Sequence, residues 1–299
     1  MFVPIGGACV AANLNVVEVS ARYDNLADCS TNFFPSDAEK ALKASYLGAG
    51  TSCTVSLYIP KTMKHPVYVY YELNNFYQNH RRFVKSRSDE QLAGETTVND
   101  FCSPQQFKDD ANGTRVEINP CGLMAWSFFN DSYAASRVDS SGTTSSISIN
   151  ENGIAWPSDV EHKFGDVAAE NFNDDIATRG GGQISGTLKT DEHFVVWMRT
   201  AAMSNFRKLW GKIEVDLVKG ETVTVTIDNR FNSYAFDGEK AIVLSTTSWL
   251  GGKNVFLGTA YLTIGSLCFA AAAVFAYFAM YPPRQIGDVA EFMNTGPGQ

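Results

Sequence analysis

The sequence predicts a mainly β, antiparallel outer domain joined to one complete C-terminal transmembrane helix. Three observations predict it. The run Phe256–Met280, FLGTAYLTIGSLCFAAAAVFAYFAM, carries no charge and is long enough to cross a hydrocarbon core about 30 Å thick. Upstream of it, short segments alternate apolar with polar residues and are rich in Val, Ile, Thr and aromatics, the composition of half-buried strands. Cys29, Cys53, Cys102 and Cys121, with the N-x-[ST] tripeptides at Asn112 and Asn130, lie in polar, loop-like sequence, as in exported domains.

Taken in order, Met1–Ala12 is apolar but shorter than the roughly 20 residues a span requires, and no basic segment precedes it. Residues 1–13 therefore read as the remnant of a truncated first helix. The β-rich domain occupies 14–253, with strands expected at Thr54–Ile59, Val67–Tyr71, Phe194–Met198, Thr222–Ile227 and Ala241–Thr246. Helical periodicity is confined to short pieces, Ser36–Leu47 and Ser88–Leu92, so one or two small helices are expected. Ser136–Ser148 and Arg179–Gly186 are Gly- and Ser-rich and read as loops. The span, 254–281, is flanked by Trp249 and Lys253 before it and by Tyr277 and Tyr281 at its far end; Pro282-Pro283 stops it, leaving a tail at 282–299. Gly258, Gly265, Ser266 and Ala270–Ala273 give it a face that another helix can approach closely.

Composition excludes several functions. Twenty-four basic against 32 acidic residues give a formal charge of −8, which disfavours attraction to phosphate backbones, so nucleic acid is not an expected partner. No CxxC occurs and the four histidines are scattered, so neither a metal nor any other cofactor is expected. The glycine runs at Gly180–Gly182 and Gly251-Gly252 lack phosphate-loop spacing. The four pairable cysteines allow three pairings, of which the sequential one closes the shortest loops.

The densest polar cluster is Tyr70–Leu92, YYELNNFYQNHRRFVKSRSDEQL, where aromatics, amides and basic residues interleave. His80 beside Asp89 or Glu90 has the makings of a general base, but no activated nucleophile accompanies it. Tyr77 and Phe83 with Arg81, Arg82, Lys85 and Arg87 have the makings of a nucleic-acid surface, against which the acidic chain and the span both argue. The structural reading outweighs both: guanidinium groups pair with carboxylates and amides and lock a strand to its following loop. An enzyme is not expected.

The blocks YYELNNFYQNHRRFVKSRSDEQLAG from Tyr70, NPCGLMAWSFFNDSY from Asn119, GIAWPSDVEHKF from Gly153, VVWMRTAAMSNFRKLWGKIE from Val195 and VLSTTSWLGGKNVFLG from Val243 resemble one family in order and over nearly the whole chain. It is that of the ALA-interacting subunits, the ligand-effect-modulator type accessory subunits of type-four P-type ATPases. The resemblance implies a non-catalytic subunit with two transmembrane helices, both termini cytosolic, and a glycosylated, disulfide-bonded, antiparallel β-sandwich-like ectodomain. It implies a heterodimer with the ATPase catalytic subunit, whose folding, export from the endoplasmic reticulum and movement of membrane lipid to the cytosolic leaflet it supports. It also implies the pairs Cys29 with Cys53 and Cys102 with Cys121, and a glycan on Asn130. The resident membrane would be that of the endoplasmic reticulum, Golgi, endosome or cell surface. Candidate partner contacts are Tyr77, Asn79, His80, Arg81, Arg82, Arg87 and Trp249. The alternative is a free-standing cell-surface recognition or adhesion protein with the same ectodomain. One departure stands out: relatives begin with a basic tail and a complete first helix, whereas FVPIG here resembles only the outer end of that helix.

Overall fold

The computed structural model describes residues 1–26, 28–29, 51–95, 102–109, 112–139, 142–172 and 180–280. The helix expected at Ser36–Leu47, Arg179, Tyr281 and the 282–299 tail lie outside them. The chain divides into two compact units, Met1–Val16 with Ser248–Gln299, and Val17–Thr247.

The second unit is built on two antiparallel sheets. The larger runs in the order β1 (Glu18–Arg22), β11 (Glu239–Ser245), β3 (Val67–Asn74), β9 (Phe206–Ile213), β8 (Ile149–Asn150). The smaller runs β2 (Thr51–Tyr58), β10 (Thr222–Asn229), β6 (Ser132–Val138), β7 (Thr144–Ile147), and a separate hairpin pairs β4 (Phe107–Asp109) with β5 (Arg115–Glu117). Three strands bury every second residue: Val67, Val69, Tyr71 and Leu73 on β3, Val223, Val225 and Ile227 on β10, Cys53, Val55 and Leu57 on β2. These side chains from both sheets share one hydrophobic core, making a sandwich. Each buried Val, Leu or Ile contributes about 1.5–3 kcal/mol. Tyr133 of β6 meets Trp210 of β9 edge-to-face at 5.0 Å.

Short helices fill one flank: α2 (Arg81–Lys85), α3 (Asp89–Leu92), α4 (Leu123–Trp126), α5 (Pro157–His162) and α6 (Glu192–Met198). This is more helix than the one or two pieces the periodicity predicts, because helices of four to seven residues are too short to show a period. Two expectations are overturned. Phe194–Met198, expected as a strand, lies in α6: Asp191 caps the helix by accepting from Phe194 N at 2.9 Å, and Phe194, Val195, Trp197 and Met198 are all buried, so no alternation distinguishes the two structures. Ser136–Ser148, expected as a loop, contains most of the β6–β7 hairpin. Its inward residues Ala135 and Ile147 reach the core, while the hydroxyl residues that suggested a loop face outward.

The first unit pairs α1 (Phe2–Leu14) with α7 (Val255–Met280). Among the described residues α7 alone is long and apolar enough to cross a membrane. The 13 residues of α1 rise about 20 Å. Glycines let the two backbones meet: a Cβ on Gly6 would stand 2.9 Å from Leu262 N, one on Gly258 2.7 Å from Val10 Cγ2, and one on Gly265 2.7 Å from Val3 Cγ2. Phe2 stacks on Tyr261 with ring centroids 6.0 Å apart. Of the small-residue face read from the sequence, Gly258 and Gly265 are thus occupied by the chain's own α1, and Ser266 and Ala270–Ala273 are left exposed.

Candidate partner interface

The cluster after β3 forms a turn and a short helix held to the neighbouring loop. Phe76 N donates to Ser204 O at 3.1 Å, Ala201 N to Gln78 Oε1 at 2.9 Å, and Asn79 Nδ2 to Ala202 O at 2.9 Å. Beneath the turn, the Phe76 ring packs against Phe83, Trp197, Phe206, Phe231 and Phe236 at centroid distances of 5.2–6.2 Å. The surface above is therefore rigidly based. It presents Tyr77, Asn79, His80, Arg81 and Arg82, all exposed, beside the exposed Met203.

His80 caps α2, its Nδ1 accepting from Arg82 N at 3.3 Å. It does not pair with Asp89, which instead meets Arg87 Nε at 2.9 Å. Of the guanidinium groups expected to lock this segment, Arg87 does so: it is half-buried against Asp89 and Met124 Sδ. Among the described residues no carboxylate pairs with Arg81 or Arg82, which leaves two cations open to solvent on an acidic chain. Trp249 belongs to the first unit, in the Ser248–Gly251 turn before α7, and is 75% exposed.

The segment after Arg87 is anchored from below. Ser86 Oγ accepts from Leu123 N at 2.9 Å, and Gly122 sits at φ +107°, where a Cβ would stand 2.0 Å from Ser86 O; only glycine fits. Disulfides join Cys102 to Cys121 beside this contact and Cys29 to Cys53 at the start of β2. The run Gly180–Gly182 lets the chain pass close to Trp126 and Phe128, with Gly182 N donating to Phe128 O at 2.7 Å.

Asn112 is exposed in the β4–β5 turn. Asn130 is half-buried at the rim of a cleft of about 630 Å³, beside Asp131, Asp191, His193 and Trp210. Among the described residues no three or more His, Cys, Asp or Glu side chains gather as a metal site would require.

Sequence reading missed a buried polar lock next to Asn130. Lys240, fully buried on β11, donates to Asp131 Oδ2 at 2.6 Å, to Phe231 O at 2.6 Å and to Asn229 Oδ1. Asp131 also accepts from Tyr23 OH and from the backbone N–H of Arg230 and Phe231, each at 2.6 Å. The lock ties the β1–β11 side of one sheet to the β6–β10 side of the other. Burial pushes the Tyr23 phenol well above its ordinary range, with the charge of Asp131 adding to it, and burial lowers the Lys240 ammonium against the pull of Asp131. The signal was present: Lys240 shares its strand parity with the inward Ile242 and Leu244. Lys208 plays a similar part at the end of α6. Its Nζ donates to the carbonyls of Val196, Trp197 and Arg199 at 3.0, 2.6 and 2.5 Å, and burial, with Arg199 nearby, pushes its pKa well down.

The model of the LEM3 (ligand-effect modulator 3) family / CDC50 family matches residues 9–285. ALA-interacting subunit 3 of Arabidopsis thaliana is 47% identical over 305 aligned residues, covering 100% of this chain and 82% of its own. Cell cycle control protein 50A of Bos taurus is 34% identical, covering 92% of this chain and 78% of its own. The phospholipid-transporting ATPase accessory subunit CDC50 of Chaetomium thermophilum is 33% identical, covering 82% of this chain and 64% of its own.

Proposed function

The chain belongs to the LEM3/CDC50 family, and on that premise we propose that it is the non-catalytic accessory subunit of a type-four P-type ATPase phospholipid flippase. The observation that carries this reading is the family match, which runs from α1 through the sandwich and across α7. The chemistry of lipid movement then lies with the ATPase. This chain supports its folding, its export from the endoplasmic reticulum and its transport of lipid to the cytosolic leaflet.

In this reading the ectodomain, 14–253, faces the lumen or cell exterior, 254–281 crosses the membrane and 282–299 lies in the cytosol, in membranes of the endoplasmic reticulum, Golgi, endosome or cell surface. Two disulfides fit the oxidising side of the membrane. Asn112 and Asn130 carry glycans. The exposed turn Tyr77–Arg82, with Arg87 and Trp249, contacts the ATPase; its rigid aromatic base supports that role, as do Arg81 and Arg82, which meet no carboxylate among the described residues. Purification of the tagged chain from detergent-solubilised membranes tests the reading. A P-type ATPase is expected in the eluate, and its consistent absence would sink the proposal.

A further inference from the structure

The cleft of about 630 Å³ beside Asn130 is the size of a ligand site, and its lining suits a neutral, hydroxyl-rich ligand. Its floor is aromatic. Tyr71 stacks on Phe129 at a centroid distance of 3.8 Å, Phe128 adjoins them, and the His193 ring lies 5.2 Å from Trp210. Each charged side chain in the lining already has a partner. His193 Nε2 meets Glu151 Oε2 at 2.9 Å, Arg230 Nε donates to Asp228 Oδ2 at 2.7 Å, and Asp131 belongs to the buried lock. Asp191 accepts from Ser185 N and Phe194 N, and Glu192 from Gly153 N and Ala155 N. A charged ligand would have to displace one of these partners. Asn152 and Gln183 differ: both are exposed on the rim, and their side-chain amides have no partner among the described residues. Each amide offers two N–H donors and a carbonyl acceptor, which complements neighbouring hydroxyl groups.

The sequon points to the occupant. Asn130 and Ser132, the first and last residues of the N-x-[ST] tripeptide, both line this cleft. Asn130 is half-buried with Oδ1 turned inward and without a hydrogen-bond partner, which leaves Nδ2, the atom that carries an N-linked sugar, as the outward end of the amide. A sugar joined there is held against the cleft at millimolar effective concentration or above, so weak contacts suffice to seat it. A pyranose ring has an apolar C–H face and a rim of hydroxyls, the counterparts of the aromatic floor and the two amides.

We propose that the cleft is a carbohydrate-binding site whose ligand is the chain's own Asn130 glycan. Its innermost N-acetylglucosamine residues fold back over the aromatic floor and hydrogen-bond to Asn152 and Gln183. The proposal rests on the glycan assigned to Asn130 above and gives it a seat; the accessory role does not depend on it.

Digestion of the native, detergent-purified chain with a peptide N-glycosidase tests the seat, with the glycan on Asn112 in the exposed β4–β5 turn as internal reference. A seat filled about nine-tenths of the time slows release about tenfold, so Asn130 is expected to lose its glycan that much more slowly than Asn112, and equally fast once the chain is denatured. Equal rates in the native chain overturn the proposal. Protection that appears only when the ATPase is bound assigns the cleft to the partner and overturns it too. The double variant Asn152→Ala/Gln183→Ala separates the cleft from the closeness of the backbone around Asn130. Release at Asn130 is expected to rise severalfold with Asn112 unaffected, and unchanged protection overturns the seat. If that variant does not fold, nuclear magnetic resonance of an Asn112→Gln chain with isotope-labelled N-acetyl groups decides. The acetyl methyl protons of the Asn130 glycan are expected upfield of those in the denatured chain, shifted by the rings of the floor, and coincident positions overturn the proposal. An Asn130→Gln chain that migrates like wild type carries no glycan to seat, which refutes the glycan assignment itself.

Discussion

Replacing Lys240 by Met removes the cation of the inter-sheet lock while nearly preserving its volume. Asp131 keeps its bonds from Tyr23 OH and from Arg230 and Phe231 N–H but loses its buried positive partner Lys240, and Asn229 Oδ1 and Phe231 O lose a donor. Removing one member of a buried ion pair costs about 3–5 kcal/mol, mostly because the remaining charge stays buried. For a unit of this size each kcal/mol moves Tm by about 2–4 °C, so the expected fall is about 6–20 °C. The assay is thermal unfolding of the detergent-purified full chain, read by near-ultraviolet circular dichroism. Lys240→Met combined with Asp131→Asn removes the stranded charge yet keeps an oxygen for the two backbone N–H groups. It should be less destabilised than the sum of the single variants by at least about 1 kcal/mol. A fall in Tm under about 2 °C for Lys240→Met, the scale of one weak surface contact, would refute the reasoning, as would strict additivity in the double variant.

Four further outcomes are expected. Tyr23, Tyr71 and Tyr133 have phenols raised well above 10.0 by burial, so the folded state holds protons that the unfolded state gives up; this stabilisation is complete below about pH 10 and is lost as pH rises beyond it. In an alkaline titration their tyrosinate absorbance should therefore appear only together with unfolding. Replacing Cys29 and Cys53 by Ala opens a loop closed over 24 residues and should cost about 3 kcal/mol, measured by denaturant midpoint. Cys9 is buried and Cys268 exposed, so a lipid-permeable maleimide should label Cys268 first; Gly258→Leu, which forces α7 off Val10, should bring the Cys9 rate up toward it. Asn112→Gln and Asn130→Gln should each raise electrophoretic mobility by one glycan, and the two together should make glycosidase treatment without effect.

The span and four of the strands, β2, β3, β10 and β11, were legible because each carries its own periodic or compositional signal over enough residues. The blocks starting at Tyr70 and Asn119 gave the family for a related reason: side chains that must fit one geometry leave a recognisable order. In the candidate interface, the sequence singled out Tyr70–Leu92 as a cluster, but which of its cations are paired depended on how the turn and its two short helices fold. Arg87 found Asp89, whereas Arg81 and Arg82 found no carboxylate among the described residues.

Local chemistry in the sequence decided what was apolar, how long each apolar run was and where strands alternate. That alone defined α7 as a span and β2, β3, β10 and β11 as strands of an antiparallel domain. Tertiary structure decided the rest. It made Phe194–Met198 a helix, since a short run buried at all but Val196 has no period to read, and it drew Ser136–Ser148 into a hairpin, since outward hydroxyls suit a strand as well as a loop. It also joined Lys240 to Asp131 across 109 residues. Such outcomes turn on which distant groups meet once the sheets pack, and nothing within a few residues of either partner encodes that meeting.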